Sequence, residues 1–376
     1  MPPQTSLSAR QLNRATLDRQ LLLDRARLSA TEGVRRVVAV QAQEAASPYI
    51  ALWNRLAGFD PADLDAAFAE HRIVKAPLMR ITLHAVHTDD YPAFHAAMQP
   101  TLRAARLNDR RFTGAGLSAA DADALAGRLV EFTAQPRSAA ECEQLVGHPR
   151  MWWALKTFAP LLHAPTGAPW SFDRQQSYIA AAGRPQSADL DQTARHLVRR
   201  YLEGFGPASA HDIAQFVLFP QSRTRAREVL ESMAGTLERM QGPDGTGLFD
   251  VPDAPLPPED TPAPPRLMAM WDSILLAYAD RSRVIPPAYR PHVIRRNGDV
   301  LPTVLVDGYV AGVWRPTEGG IEATAFQPLS DKTWDGLAAD ARQLVALLAD
   351  REPQVYHRYA RWWKTLPKAE VRLLPP

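Results

Sequence analysis

Between residues 252 and 265 the chain carries seven prolines, with Asp253, Glu259 and Asp260 among them. Proline lacks a backbone donor and fixes φ, so neither a helix interior nor a central strand can run through this tract. It reads as an extended, stiff linker, and the hydrophobic pattern changes across it. Before it, apolar residues recur mostly at helical spacing. After it, residues 300–306 and 309–314 alternate around Asp307-Gly308, a hairpin signature. Residues 321–326 add a further strand, and a helix over 333–348 and an aromatic, basic stretch over 356–364 close the chain. The expectation is an α+β fold, mainly α, with a small β-rich domain at residues 266–376.

The 376 residues are more than one ordinary core needs, since domains usually hold ~100–200 residues. Three units are expected ahead of the linker, at 1–90, 91–190 and 191–251. The apolar fraction is that of a globular protein, and no apolar run is long enough to span a bilayer. Residues 1–4 lack the charged-then-apolar build of a secretion signal. A single cysteine, Cys142, leaves no internal disulfide framework and no thiolate-rich zinc site, which fits a reducing cytoplasm. Net charge is only +2, yet residues 1–40 hold seven arginines and residues 281–296 hold five without an acid. Clustering of that kind can give a positive face of the sort nucleic acid requires, or simply solvated helix surfaces.

Each of the three units reads as helices followed by a short extended pair. In the first, Ser8 caps a helix running to about residue 23, and a second helix covers 30–43. Pro48 starts a third and Asp60 caps a short acidic fourth, before two extended pieces meet near Pro77. Helices followed by a hairpin make the winged-helix plan. In the second unit, helices over 90–106 and 117–132 precede a Ser138/Glu141 capping box and a short tryptophan-bearing helix, then a wing. The third is the clearest: a helix over 193–202, a turn at Gly206-Pro207, a helix capped by Ser209, and a basic helix opening at Ser222-Arg223-Thr224-Arg225. That is the helix-turn-helix arrangement.

Within the first unit the apolar run Val37-Val38-Ala39-Val40 ends in Gln41-Ala42-Gln43. Residues two apart face different directions on a helix and the same way on a strand. If both amides serve one substrate, the helix must end or distort there; otherwise Gln43 is a cap or a solvent-facing side chain. Thr82 and His84 share a face of the second extended piece, where His84 is either a satisfied core histidine or a contact to a ligand. Arg10, Arg14, Arg80, Arg223, Arg225, Arg281 and Arg283 are candidate phosphate contacts, each equally readable as a plain or salt-bridged surface arginine. Phe112, or residues of a C-terminal hairpin, are candidate wedges into a groove. His71, His84, His87 and His95 lack metal-ligand spacing, so no metal and no cofactor are expected, and no lysine sits in a motif suited to Schiff-base chemistry.

Taken together, these pieces resemble the winged-helix DNA glycosylases of the AlkZ/YcaQ type. The matching residues are Leu12-Asn13-Arg14, Arg19-Gln20-Leu21-Leu22, Gln41-Ala42-Gln43, and Met79-Arg80-Ile81-Thr82-Leu83-His84 followed by Asp90-Tyr91. Further along come Tyr201-Leu202 with Phe205-Gly206-Pro207-Ala208, Trp271-Asp272-Ser273 with Asp280-Arg281-Ser282-Arg283, and residues 306–314. The AlkZ-like branch carries Gln-apolar-Gln and the YcaQ-like branch Gln-apolar-Asp; Gln43 points to the first. The resemblance implies tandem winged helices around a concave basic channel, with a barrel-like C-terminal part. It also implies Gln41 and Gln43 as catalytic residues, with Thr82, His84 and the arginines on DNA. The implied activity is that of a monofunctional glycosylase, leaving an abasic site rather than acting as a lyase: hydrolysis of the N-glycosidic bond of bulky cationic N7-alkylguanines and unhooking of interstrand crosslinks, as in self-resistance to DNA-alkylating natural products. The implied partner is double-stranded DNA containing alkylated purines, met by a nucleoid-associated monomer without membrane or obligate protein partner.

An N7-alkylated guanine is already cationic, so it leaves as a neutral base without an acid. Neutral amides can then suffice to hold water and to orient dipoles toward the developing sugar cation. A non-enzymatic winged-helix regulator or drug-sequestering protein explains the arginines but gives the two glutamines no task. A YcaQ-like enzyme of broad range is the third reading, against which Gln43 stands.

Overall fold

The computed structural model describes residues 5–167, 169–172, 174–182, 189–219 and 222–375. Residues 1–4, on which the reading of the N-terminus rests, lie outside them. The fold is α+β. The first segment runs α1 (Ala9–Arg19), α2 (Ala30–Val37), β1 (Val40–Gln41), α3 (Ser47–Arg55), α4 (Pro61–Ala69), β2 (Ile73–Pro77) and β3 (Leu83–His87). Then come α5 (Tyr91–Leu107), α6 (Arg110–Thr113), α7 (Ala119–Phe132), β4 (Arg137–Ser138), α8 (Ala139–Val146), α9 (Pro149–Phe158), β5 (Leu161–Ala164) and β6 (Ser177–Ala180). A third segment follows as α10 (Leu190–Phe205), α11 (Ala210–Val217), α12 (Ser222–Ser232), β7 (Glu238–Gln241) and β8 (Gly247–Asp250). The last comprises β9 (Arg266–Leu267), α13 (Arg290–Val293), β10 (Thr303–Val306), β11 (Tyr309–Thr317), β12 (Gly320–Ala325), α14 (Asp331–Ala349) and β13 (Glu370–Leu374).

Local chemistry sets most of these boundaries. Ser8, Ser29, Ser138 and Ser209 each accept from the backbone three residues on, while the side chain there reaches back to the cap. Two orphan donors are satisfied at each such helix start. Asp60 and Ser118 cap α4 and α7 singly. Each helical segment is followed by a small antiparallel sheet: β1-β3-β2, β4-β6-β5 and β7-β8. The C-terminal sheet has the order β13-β12-β11-β10-β9. It is open among the described strands, with α14 packed on β9, β12 and β13, where the resemblance leads one to expect barrel-like closure.

Two helices are shorter than their periodicity suggests. α1 stops at Arg19 because Leu21 turns left-handed, and α2 stops at Val37 rather than near residue 43. The apolar run after Val37 fits a buried strand as well as a helix, and pairing with β3 decides the matter.

Packing joins the ends of the chain. One core unites α2, α3 and α4 with the C-terminal sheet and α14, and a second unites the other side of the β2–β3 hairpin with α5 through α12. Buried bidentate ion pairs cross between segments. Arg19 meets Asp250 at 2.7 and 2.6 Å, and Arg55 meets Asp272 at 2.8 Å through both nitrogens. The proline-rich tract lies along α1, where the carbonyl of Thr261 accepts from Arg14 Nε at 2.7 Å.

Candidate active site

The polypeptide leaves α2 through a left-handed residue, Val38 (φ 75, ψ −54), and enters β1. β1 adds to the edge of the β2–β3 hairpin with Gln41 opposite His84 and Val40 opposite Ala85. Directly opposed strand residues share a face, so Gln41 and His84 meet. The hairpin reverses through Met79–Ile81, where Arg80 (φ 54) and Ile81 (φ 59) are both left-handed. Positive φ in a β-branched residue is uncommon and costs on the order of 1–3 kcal/mol. Val38 and Ile81 are both of that type; Val38 precedes the strand that carries Gln41, and Ile81 follows Arg80, which donates to Gln41. The turn is held by Leu78 N–H to the Thr82 carbonyl at 3.0 Å and by Thr82 Oγ1 to the Met79 carbonyl at 3.1 Å.

Four polar side chains converge on that turn. Arg80 donates to the side-chain Oε1 of Gln41, and Gln41 Nε2 donates to Thr82 Oγ1 at 3.3 Å. His84 Nδ1 stands 3.0 Å from the Thr82 carbonyl, which fixes the proton on Nδ1 and leaves Nε2 to accept from Arg80 at 3.4 Å. Burial and the adjacent Arg80 push the His84 pKa down to about 3, so the ring is neutral. Burial, with repulsion from Arg281, also pushes the Arg80 guanidinium down. Its carbon rests 4.8 Å from the Phe216 ring of α11, and its other terminal nitrogen is buried without a hydrogen-bond partner. No carboxylate pairs with Arg80 among the described residues. The result is a partly uncompensated cation behind a neutral amide and a neutral imidazole, with Ile81 and Thr82 reaching the surface.

Gln43 lies beyond β1 in a different setting. It is exposed, has no hydrogen-bond partner among the described residues, and borders a cavity of about 440 Å³. Lys75 of β2, His163 of β5, Trp170, Phe172 and Tyr356 share the wall, and Glu44 at the rim is held by Arg358 and by Tyr359 Oη at 2.7 Å. Gln41 does not line this cavity; it borders a tight gap against Ala269 and Asp272. Neither Lys75 nor His163 is singled out by the sequence pattern, because what distinguishes them is burial against a segment far away in the chain. No cluster of three His, Cys, Asp or Glu side chains able to hold a metal occurs among the described residues.

The arginines are scattered. Arg14 is fully buried and paired with Asp307, whose other oxygen takes Arg10 at 2.7 Å. Arg10 keeps 40% of its side chain exposed. Arg223 is exposed beside His211 at 2.7 Å, and Arg225 is tied to Asp191 at 2.5 Å. Arg281 donates weakly to the Leu275 carbonyl at 3.3 Å, and Arg283 donates to the Pro207 carbonyl at 2.8 Å over the Tyr278 ring. Of the seven, Arg281 is near enough to Arg80 to help lower the Arg80 pKa. Phe112 is a core residue, 1% exposed, and so is not at the surface as a wedge.

Comparisons with known proteins bear on this site. A family model described as DNA glycosylase AlkZ-like matches residues 34–347, a span that includes Gln41, Gln43, Lys75, Arg80, Thr82 and His84. A comparison with curated protein sequences returns no match. Among solved structures, the Streptomyces sahachiroi DNA glycosylase AlkZ is similar, with 21% identity and a TM-score of 0.79 over 93% of this chain and 99% of that one. At that identity the likeness concerns the fold. No described helix is long and apolar enough to cross a membrane.

Proposed function

The chain belongs to the AlkZ-like DNA glycosylase family, and from that premise we propose that it hydrolyses the N-glycosidic bond of bulky, cationic N7-alkylguanines, crosslinked ones included. Water is the nucleophile and an abasic site is the product. Gln43, exposed at the mouth of the cavity, holds the water and faces the sugar. Gln41 aligns the Arg80–Thr82–His84 cluster, whose exposed edge follows the DNA backbone. A neutral His84 and two amides supply no general base, so the substrate supplies the activation through its own charge. The observation that carries this reading is the convergence of Gln41, Arg80, Thr82 and His84 on one strained turn, next to a cavity bordered by Gln43.

Each helical segment with its small sheet serves as a winged-helix module, the three arranged around a basic channel for duplex DNA. Arg10, Arg223, Arg225, Arg281 and Arg283 contribute charge along it, while Arg14 fixes the start of α1 to the C-terminal hairpin. The protein acts as a monomer on the bacterial nucleoid and protects its host from a DNA-alkylating natural product.

Release of base from duplex bearing N7-methylguanine, measured under single turnover, tests this with Gln41→Ala and Gln43→Ala assayed separately. Each variant is expected to slow release by about 10²-fold, the scale of losing one preorganised dipole, while still binding DNA. Two variants with full rates and intact binding would remove the proposed site.

A further inference from the structure

The cavity bordered by Gln43 holds an amine for which base release by water has no use. Lys75 sits in the middle of β2 opposite Ala85, and only 5% of its surface is exposed. Its nitrogen lies 4.3 Å from the centroid of the Phe172 ring, on the cavity wall. Among the described residues it has no ion pair and no hydrogen-bond acceptor. The buried Arg19 and Arg55, by contrast, are each matched by a carboxylate through two contacts. A buried charge without a partner is expensive, and the usual escape is to shed the proton.

The surroundings favour that escape. Burial pushes the Lys75 pKa down to about 8. His163, on the neighbouring β5, is itself kept neutral by burial and by Lys75, and so is no counter-ion. Of the acids on the cavity wall, Glu44 is taken by Arg358 and Tyr359, and Glu352 accepts from Trp170 Nε1 at 2.7 Å. A lysine desolvated in an apolar wall and facing open space is the arrangement that eases loss of its proton, and the free amine so formed is a nucleophile. The cavity of about 440 Å³ has room for a deoxyribose.

We propose that Lys75 condenses with C1′ of the abasic deoxyribose left by base release, holding the damaged strand as a protein–DNA Schiff base in this cavity. The amine lone pair adds to the aldehyde carbon of the ring-opened sugar. The carbonyl oxygen then departs as water after accepting two protons, one from the nitrogen and one from solvent, and a protonated imine remains. Nothing is oxidised or reduced, and hydrolysis of the imine restores both partners. The step rests on the glycosylase reading for its biological substrate, but it can be tested without base release.

The test uses the full chain and a duplex in which an abasic site is made beforehand by removing uracil. Borohydride reduces an imine to a stable secondary amine, so capture appears as a covalent protein–DNA band whose attachment point is mapped by peptide mass. The expected result is a band from the wild-type protein mapping to Lys75. Lys75→Met, which keeps the volume without the amine, and Lys75→Arg, which keeps the charge without the nucleophile, lose the band to background. Mapping on the wild-type protein decides the matter even if a variant misfolds. No band, a band mapping to another amine, or a band retained by Lys75→Met overturns the proposal. A protein that releases alkylated base but gives no band refutes the role of Lys75 alone. One that gives the Lys75 band but releases no base refutes the glycosylase substrate and supports the lysine.

Discussion

Lys75 is where burial and charge conflict most openly. Its folded pKa of about 8 lies below the ordinary 10.5, so between those values the unfolded chain binds more protons than the folded one. Stability therefore rises with pH through that window, and below about 8 the full penalty is present. The gap corresponds to on the order of 3 kcal/mol at neutral pH. Lys75→Met is accordingly expected to stabilise the protein at neutral pH by up to that amount, with the gain shrinking near pH 10, as read by urea unfolding at the two pH values. A variant less stable than wild type at neutral pH would mean that the amine has a partner in the fold. The residue scale is also where sequence was least informative. Thr82 and His84 could be placed on one face from alternation alone, and they do share a cluster with Gln41. That Gln41 is buried under Arg80 while Gln43 is exposed could not be read from spacing, because β1 ends between them. Lys75 carried no motif at all.

At the scale of elements, the turn over Met79–Ile81 is the part most plainly shaped for something other than stability. Two consecutive left-handed residues, one of them isoleucine, are held there by the β2–β3 pairing on either side. Ile81→Gly removes the steric strain but gives up the packing of a partly buried side chain and adds freedom to the unfolded chain, so the net loss of stability is expected to stay within about 2 kcal/mol. Base release should nevertheless fall, because the turn no longer fixes Arg80 against Gln41. Equal losses in unfolding free energy and in rate would instead make the turn merely structural. Helix starts were legible in the sequence, since Ser8, Ser138 and Ser209 announce themselves by the residue three positions on. The end of α2 was not, because Val38-Ala39-Val40 satisfies helix and strand patterns alike and a partner strand more than forty residues away selects between them.

Across the whole molecule, the first and last parts of the chain share one core, and the proline-rich tract lies on α1. Hydrophobic periodicity showed where elements change type, but contacts such as Arg55–Asp272 join residues 217 positions apart and leave no trace in any local window. Both partners of that pair are buried, so Arg55→Ala strands an unpaired carboxylate and is expected to cost about 3–5 kcal/mol in chemical denaturation. A cost near zero would mean that Asp272 is reached by water. The scattered exposed arginines predict DNA affinity that falls steeply with salt, and a flat response would remove the phosphate contacts proposed for them.

The chemistry assigned to this fold depends on a leaving group that is already positive. The most direct measurement is single-turnover release of N7-methylguanine and of a neutral lesion, hypoxanthine, from otherwise identical duplexes. Release of the cationic base alone is expected, at a rate that does not change between about pH 5 and 7, below the titration of Lys75, because His84 stays neutral and amides do not titrate there. Comparable release of hypoxanthine, or a rate that follows the titration of a carboxylate or histidine, would contradict it.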